Sequence, residues 1–469
     1  MKRFTTLMMV LFFFTAAFAQ TDVVVEELWN DSKYANGSED PIFGYVDGDA
    51  PSWMGNLTER GMTQIDDKIY IPSRNGGNLI VVLDALTGGQ LATITLPSDP
   101  VSGGTYAINS IARTESGNLL VGNLATNTQA VEDPAADPVV PTGHFKVYHI
   151  ELDATGTGYS SISTVVNWHN YGDPVYPAFR LGDGIAFYGD VASGSNGYLI
   201  VAAANSDFVL RWDVTDGTFA TDPTIFQLAD SNPSPAPGEP VNLSTAPQCF
   251  PVSDNLVIID GKDLFPAVYD MSGQMIATFS GEVAPLQGNG NGVAYFTLEG
   301  RSFVVASSTI WTGYPAGAPE NAFELFELVN DSWEQADSIA MLPAEGLSSS
   351  GASNASFVYP VAVDVVGTEA YVYVMAPNAG IAGFKVTLAE GTAIGDKPMS
   401  DISLYPNPAT EVIHFSEEMV SVKVYDMTGK LVKEVLNTNR LEVSELKGIY
   451  LINAVDNKGN ILRNKVVIQ

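Results

Sequence analysis

The chain has 469 residues, 45% of them apolar and 16% charged, which argues against a disordered chain and leaves room for more than one folded domain. Its 43 Gly and 27 Pro favour short strands and turns over long helices. A net charge of −32, from 22 Lys and Arg against 54 Asp and Glu, would repel a phosphate backbone and argues against nucleic acid as a partner.

In chain order, residues 1–19 (MKRFTTLMMVLFFFTAAFA) have the three parts of a secretory signal peptide. Lys2 and Arg3 open it, an apolar run follows, and Ala17-Phe18-Ala19 supplies a small-x-small cleavage site. The apolar run is too short to span a bilayer, so the mature chain is expected to start at Gln20 without a transmembrane segment. No cysteine follows the cleavage point to carry a lipid. The single cysteine, Cys249, reads as a small core residue.

From residue 67 onward a plan of strand, loop, strand, tight turn, strand recurs. The turns begin at Asp84, Asp153, Asp213, Asp270, Asn330 and Leu388, the last two being weaker matches. An Asp or Asn side chain caps such a turn, and a following Gly accepts the positive φ of a tight hairpin. The steps of 69, 60, 57, 60 and 58 residues predict an array of similar antiparallel sheets. Upstream strands near residues 68–71, 118–124, 198–202, 255–260, 302–306 and 370–375 complete much of each unit. The fold class predicted is all-β: a β-propeller over residues 20–391, built of six four-stranded blades. The sixth unit lacks an outer strand, and residues 23–29 (VVVEELW) are expected to supply it and close the ring. An open β-solenoid or a pair of β-sandwiches is the alternative.

Long segments fall at residues 30–60, 125–143, 169–184, 229–247, 307–321 and 342–356, all on one face of such a ring. On that face Trp168, His169, Tyr171, Tyr176, Arg180 and Asp183 form one cluster, and Trp311, Tyr314 and Trp53 add aromatic surface. Aromatic rings edged with polar groups suit a sugar or a protein surface. Any one of these residues could equally pin its loop to the scaffold. His169 beside Arg180 and Asp183 is the best candidate for acid–base chemistry. The four His (144, 149, 169 and 414) form no metal-ligand pattern, and no Walker, Rossmann or nucleophile-elbow motif occurs. Neither a metal nor a cofactor is expected.

After a polar linker at residues 392–401, residues 402–469 alternate as strands of a small antiparallel β-sandwich. Here eight basic residues balance eight acidic ones, so the whole imbalance lies upstream. Four motifs stand in order: Leu404-Tyr405-Pro406-Asn407-Pro408-Ala409, the run from Val424 through Tyr425, Asp426 and Gly429 to Val432, Gly448-Ile449-Tyr450-Leu451-Ile452, and Lys465-Val466-Val467. They resemble the type A C-terminal sorting domain of the type IX secretion system. The resemblance implies a bacterium of the Bacteroidota, engagement of the type IX machinery, and a secreted or surface-attached product. The rest resembles secreted Bacteroidota propellers that carry no assigned activity. The function expected is a secreted or cell-surface propeller that binds carbohydrate or protein on its long-loop face without chemistry of its own. A polysaccharide-acting hydrolase or lyase, and a structural surface-layer protein, are the alternatives.

Overall fold

The computed structural model describes residues 23–40, 44–131, 143–229, 242–261, 264–279, 291–308, 321–348, 358–389, 404–426, 430–456 and 461–469. The segment 1–19 and the linker 392–401 lie outside the described residues, as do Trp311, Tyr314 and Gly429. The fold is all-β: among the described residues there is no α-helix, only a short 3-10 turn at Val329–Asp331. Two compact units divide the chain, Val23–Leu388 and a second that includes Ala389–Gln469.

The larger unit opens with β1 (Val23–Ser32) and a small hairpin, β2 (Ser38–Asp40) and β3 (Gly44–Val46). A first four-stranded sheet follows: β4 (Thr63–Ile65), β5 (Lys68–Ser73), β6 (Leu79–Asp84) and β7 (Gln90–Thr95). The second comprises β8 (Tyr106–Arg113), β9 (Leu119–Leu124), β10 (Phe145–Leu152) and β11 (Tyr159–Trp168). In the third, β12 (Ala186–Gly189), β13 (Gly197–Ala202) and β14 (Phe208–Thr215) pair in order, and β14 also takes both β15 (Thr218–Phe219) and β16 (Thr224–Gln227). The fourth holds β17 (Gln248–Ser253), β18 (Leu256–Asp260), β19 (Ala267–Asp270) and β20 (Met275–Thr278). The fifth holds β21 (Val293–Leu298), β22 (Arg301–Ser308), β23 (Ala322–Leu328) and β24 (Ala336–Leu342). The sixth has three strands of its own, β25 (Val361–Val366), β26 (Glu369–Ala376) and β27 (Gly380–Leu388), and β1 is its fourth. Val23 pairs with Leu388 and Ser32 with Gly380, antiparallel.

Strand chemistry explains the stacking. Strand β6 reads LIVVLD and is buried on both faces, so its alternate side chains must enter different cores. Ile80 and Val82 pack with Ile108, Val121 and Tyr148 of the second sheet, while Val81 and Leu83 pack with Tyr373, Met375 and Ile381 of the sixth. Further apolar clusters join the second sheet to the third, the third to the fourth, the fourth to the fifth and the fifth to the sixth. The first strands follow the same circuit, β4 against β8, then β12, β17, β21 and β25, and β25 returns to β4.

The turn chemistry holds at three of the four turns that Asp was expected to open. Asp84 Oδ1 accepts the Leu86 and Thr87 N–H groups at 3.0 and 2.8 Å, Gly88 adopts φ +71, and Asp153 and Asp270 cap their turns the same way. Asp213 differs: it lies inside β14, and the turn is Asp216-Gly217. Leu388 differs too. It ends β27 beside Val23 of β1. The fourth sheet has an inner strand, β17, that the apolar pattern did not reveal, because its sequence QCFPVS opens with Gln and contains Pro251.

In the C-terminal unit β28 (Leu404–Tyr405), β29 (Val412–Asp426), β30 (Leu431–Glu442), β31 (Gly448–Asp456) and β32 (Ile461–Ile468) form one hydrogen-bonded network. The pairing of the long β29 and β30 shifts register between His414 and Met419. The first and last sorting motifs meet. Asn407 donates from Nδ2 to the Lys465 carbonyl and accepts the Val467 N–H at Oδ1, both at 2.9 Å. Tyr405 lies on the His414 ring, Gly448 opens β31 at φ +118, and Tyr450 donates its hydroxyl to the Lys447 carbonyl. Tyr425 pairs through the backbone with Leu431 and Leu451, and Asp426 with Tyr450; Pro406 and Pro408 flank Asn407.

Candidate functional site: an arginine cluster at the mouth of a central cavity

The first strands of the six sheets surround a cavity of about 570 Å³. Toward the long-loop end its wall takes one residue from each sheet in turn: Gly61, Ser110, Gly184, Gln248, Gly292 and Tyr359. Glycine alternates with a larger residue, and the reason is steric. A methyl group on Gly292 would overlap the Tyr359 carbonyl oxygen, one on Gly184 the Gln248 amide, and one on Gly61 would press on the Ile111 backbone. Neighbouring sheets leave no room for a side chain at these points.

The residue before each glycine is polar and buried: Arg60, Asp183 and Asn291. Arg60 is 7% exposed and Asp183 only 1%. Asp183 accepts two hydrogen bonds from Arg180, Nε to Oδ2 at 2.6 Å and Nη2 to Oδ1 at 2.7 Å. Arg60 reaches the same carboxylate less well, with Nη2 at 3.4 Å from Oδ1, and its Nε has no hydrogen-bond partner among the described residues. A third guanidinium, Arg74, lies 4.0 Å over the ring of Tyr106, donates to the Asn109 side chain, and reaches the Leu57 carbonyl at 2.8 Å. Asn109 in turn donates to the Gly182 carbonyl at 2.8 Å, linking the second sheet to the 180–183 turn.

The backbone holds these groups in register. Leu181 exchanges N–H···O bonds with Ala125, Ala204 N–H donates to the Arg180 carbonyl, and Glu59 bridges to Ser73. The carboxylate of Glu59 is fully buried and accepts from the Gly55 N–H, the Thr58 hydroxyl and the Ser73 hydroxyl. Burial pulls the Arg60 guanidinium below its ordinary pKa; Asp183 opposes that pull and Arg180 adds to it. Arg74 is lowered by burial first and by Arg60 second, whereas its hydrogen bonds to Asp183 raise Arg180. Across the rim, the Asn291 amide donates to the Thr245 and Ala246 carbonyls at 2.6 and 2.9 Å. Asp260 is fully buried, accepts the Gly292 N–H at 2.9 Å, and is pushed well above the usual carboxylate range by that burial.

The cluster expected from sequence is only partly assembled. Arg180 and Asp183 join, but with Arg60 rather than with His169. The His169 ring faces His144, with centroids 4.6 Å apart, and burial followed by His144 lowers its pKa. Its Nδ1 accepts the Tyr171 N–H at 3.1 Å. Trp168 is buried and packs edge-on to Trp212 and beside Phe179, so its ring faces core and not solvent. Tyr176 packs against Phe179 and Phe208, and the half-buried Trp53 sits on the cluster between the sixth and first sheets. Tyr171 is exposed. Arg60, Arg74 and Tyr106 escaped the sequence reading because Arg60 and Arg74 flank β4 and β5 and lie over a hundred residues from Arg180. A signal existed: a polar residue, Gly and an apolar residue recur as Arg60-Gly61-Met62, Asp183-Gly184-Ile185 and Asn291-Gly292-Val293.

Residues 403–469 match the secretion system C-terminal sorting domain, which directs the chain to type IX export and a secreted or cell-surface location in the Bacteroidota. No curated protein matches the chain. A crystal structure of a DUF4623 family protein from Bacteroides eggerthii is similar at 14% identity and TM-score 0.52, covering 78% of this chain and 75% of that one. That likeness concerns the fold alone. The soluble aldose sugar dehydrogenase of Escherichia coli (12% identity, TM-score 0.38, 78% and 99% covered) and a β-propeller domain from Myceliophteria thermophila (10%, TM-score 0.33, 90% and 98%) are more distant, and scores that low do not bear on function.

Proposed function

We infer that the protein is a secreted or cell-surface β-propeller that binds an extracellular carbohydrate or protein ligand at the long-loop mouth of its central cavity. In this reading the six sheets are blades of one ring over residues 20–391, β1 is the outer strand of the last blade, and the 392–401 linker leads to a β-sandwich sorting domain. The succession of six apolar clusters, each between consecutive sheets and the last returning to the first, supports the ring.

One observation carries the choice of surface: the Arg60–Asp183–Arg180 cluster. Buried charge is expensive in a scaffold and concentrates where a ligand is to be held. Catalysis on polysaccharide is the second reading, and the geometry favours it less. Asp183 has both oxygens occupied by guanidinium N–H groups, and His169 turns to His144. A glycan-array screen with the full chain tests the assignment. Saturable binding without new reducing ends supports it, release of new reducing ends replaces it with the enzyme reading, and absence of glycan binding restricts it to a protein ligand.

A further inference from the structure

Among the six arginines of residues 23–388, three converge on one end of the cavity, in a chain whose net charge is −32. Among the described residues, the carboxylates at hand leave this cluster short of negative charge. Arg60, Arg74 and Arg180 face Asp183, whose oxygens Arg180 already takes in fork geometry, and Glu59, whose oxygens are taken by Gly55, Thr58 and Ser73. What remains is Arg60: a guanidinium more than nine-tenths buried, with a loose 3.4 Å contact to Asp183 and an Nε that donates to nothing among the described residues. A buried donor left unmade costs free energy that an arriving acceptor recovers. The Nε–Nη2 edge of an arginine matches two oxygens of one carboxylate, as Arg180 demonstrates on Asp183. Arg74 and Arg180 are half-buried, so the cluster is reachable from the rim, where Tyr106 offers an exposed ring.

We propose that the mouth of the cavity is a carboxylate-binding subsite, and that the ligand is an acidic polysaccharide whose uronic acid carboxylate is received by Arg60 with Arg74 and Arg180 beside it. This rests on the assignment of the long-loop mouth as the binding surface. An acidic sugar fits better than a neutral one because, among the described residues, the surplus charge has no other partner. It fits better than an acidic peptide because the partly exposed Tyr106 ring beside the Arg74 guanidinium suits the apolar face of a sugar.

Titration of the full chain with oligogalacturonate, with the same oligomer carboxyl-reduced to neutral galactose units, and with a sulfated galactan oligomer distinguishes the sources. The expected result is saturable binding of the carboxylated oligomer that weakens with salt and falls at least about tenfold in Arg60→Gln, with the neutral oligomer bound poorly. Arg74→Gln, at a half-buried position, is expected to weaken binding several-fold; it serves as the second variant should Arg60→Gln melt at reduced temperature. Preference for the sulfated oligomer overturns the carboxylate assignment and leaves an oxyanion site. Equal binding of neutral and charged oligomers, or charged-oligomer binding unchanged in both variants, overturns the proposal while the mouth remains a glycan site. Failure of both charged oligomers overturns it whether or not a neutral glycan binds.

Discussion

At the scale of single residues, burial decides what each side chain can do. Trp168→Ala empties a site between Trp212 and Phe179 and is expected to cost about 3–5 kcal/mol of stability, read as a fall in melting temperature. Tyr171→Ala, on an exposed ring, is expected to change stability by less than about 0.5 kcal/mol. The difference was partly legible. Along β11, Val166 and Trp168 are buried while Asn167 is exposed, so the period-two alternation already put Trp168 on the inner face. Residue type suggested a ligand platform; phase along the strand argued for core. Asp260 gives a pH test. Its folded pKa is raised by burial, so the native chain holds a proton that the unfolded chain releases above its ordinary pKa of 3.8. The contribution of Asp260 to stability is therefore full below that pH and is lost as pH rises through the folded pKa. Asp260→Asn should match the wild type in acid and exceed it increasingly toward neutral pH, a comparison made by melting across pH 4 to 8. Cys249, buried with its thiol pushed up to about 12, should resist thiol reagents until the protein unfolds.

At the scale of elements, the joints between sheets are set by what the first strands omit. Gly292 sits against the Tyr359 backbone carbonyl, and Gly184 against the flexible Gln248 side chain. Gly292→Ala should destabilise by about 1–3 kcal/mol or more, and Gly184→Ala by less, since a side chain can swing aside and a carbonyl cannot. Differential scanning calorimetry of the two variants orders them. The hairpin turns were readable because Asp and Gly act locally: the caps at Asp84, Asp153 and Asp270 need nothing from the rest of the chain. Strand β17 was hidden because its burial comes from neighbours, not from its own composition. Cys249 packs into the third-to-fourth cluster, while Pro251 is accommodated at the sheet's inner edge. The arginine cluster was hidden for the same reason. Its members are 14 to 120 residues apart, from Arg60 to Arg74 and to Arg180, and only the convergence of the first three sheets joins them.

At the scale of the whole molecule, the chain divides into two units, and the sorting signal lies in the second. Removing residues 404–469 should leave the thermal transition of the larger unit unchanged and abolish delivery to the cell surface, checked by calorimetry and by fractionation of the producing cell. Deleting residues 23–32 should do the opposite. The sorting tail is untouched, but β27 loses the outer of its two antiparallel partners along its whole length, so the larger unit melts earlier and self-associates, as sedimentation would reveal. The pairing of Val23 with Leu388 also sets a timetable. The first strand of the unit waits for its last, so a growing chain that has not yet extended past residue 388 cannot complete the final sheet. Until residue 388 arrives, β1 is a bare template that chaperones must cover, and any chain cut short before residue 380 stays a seed for clumping however sound its other sheets are.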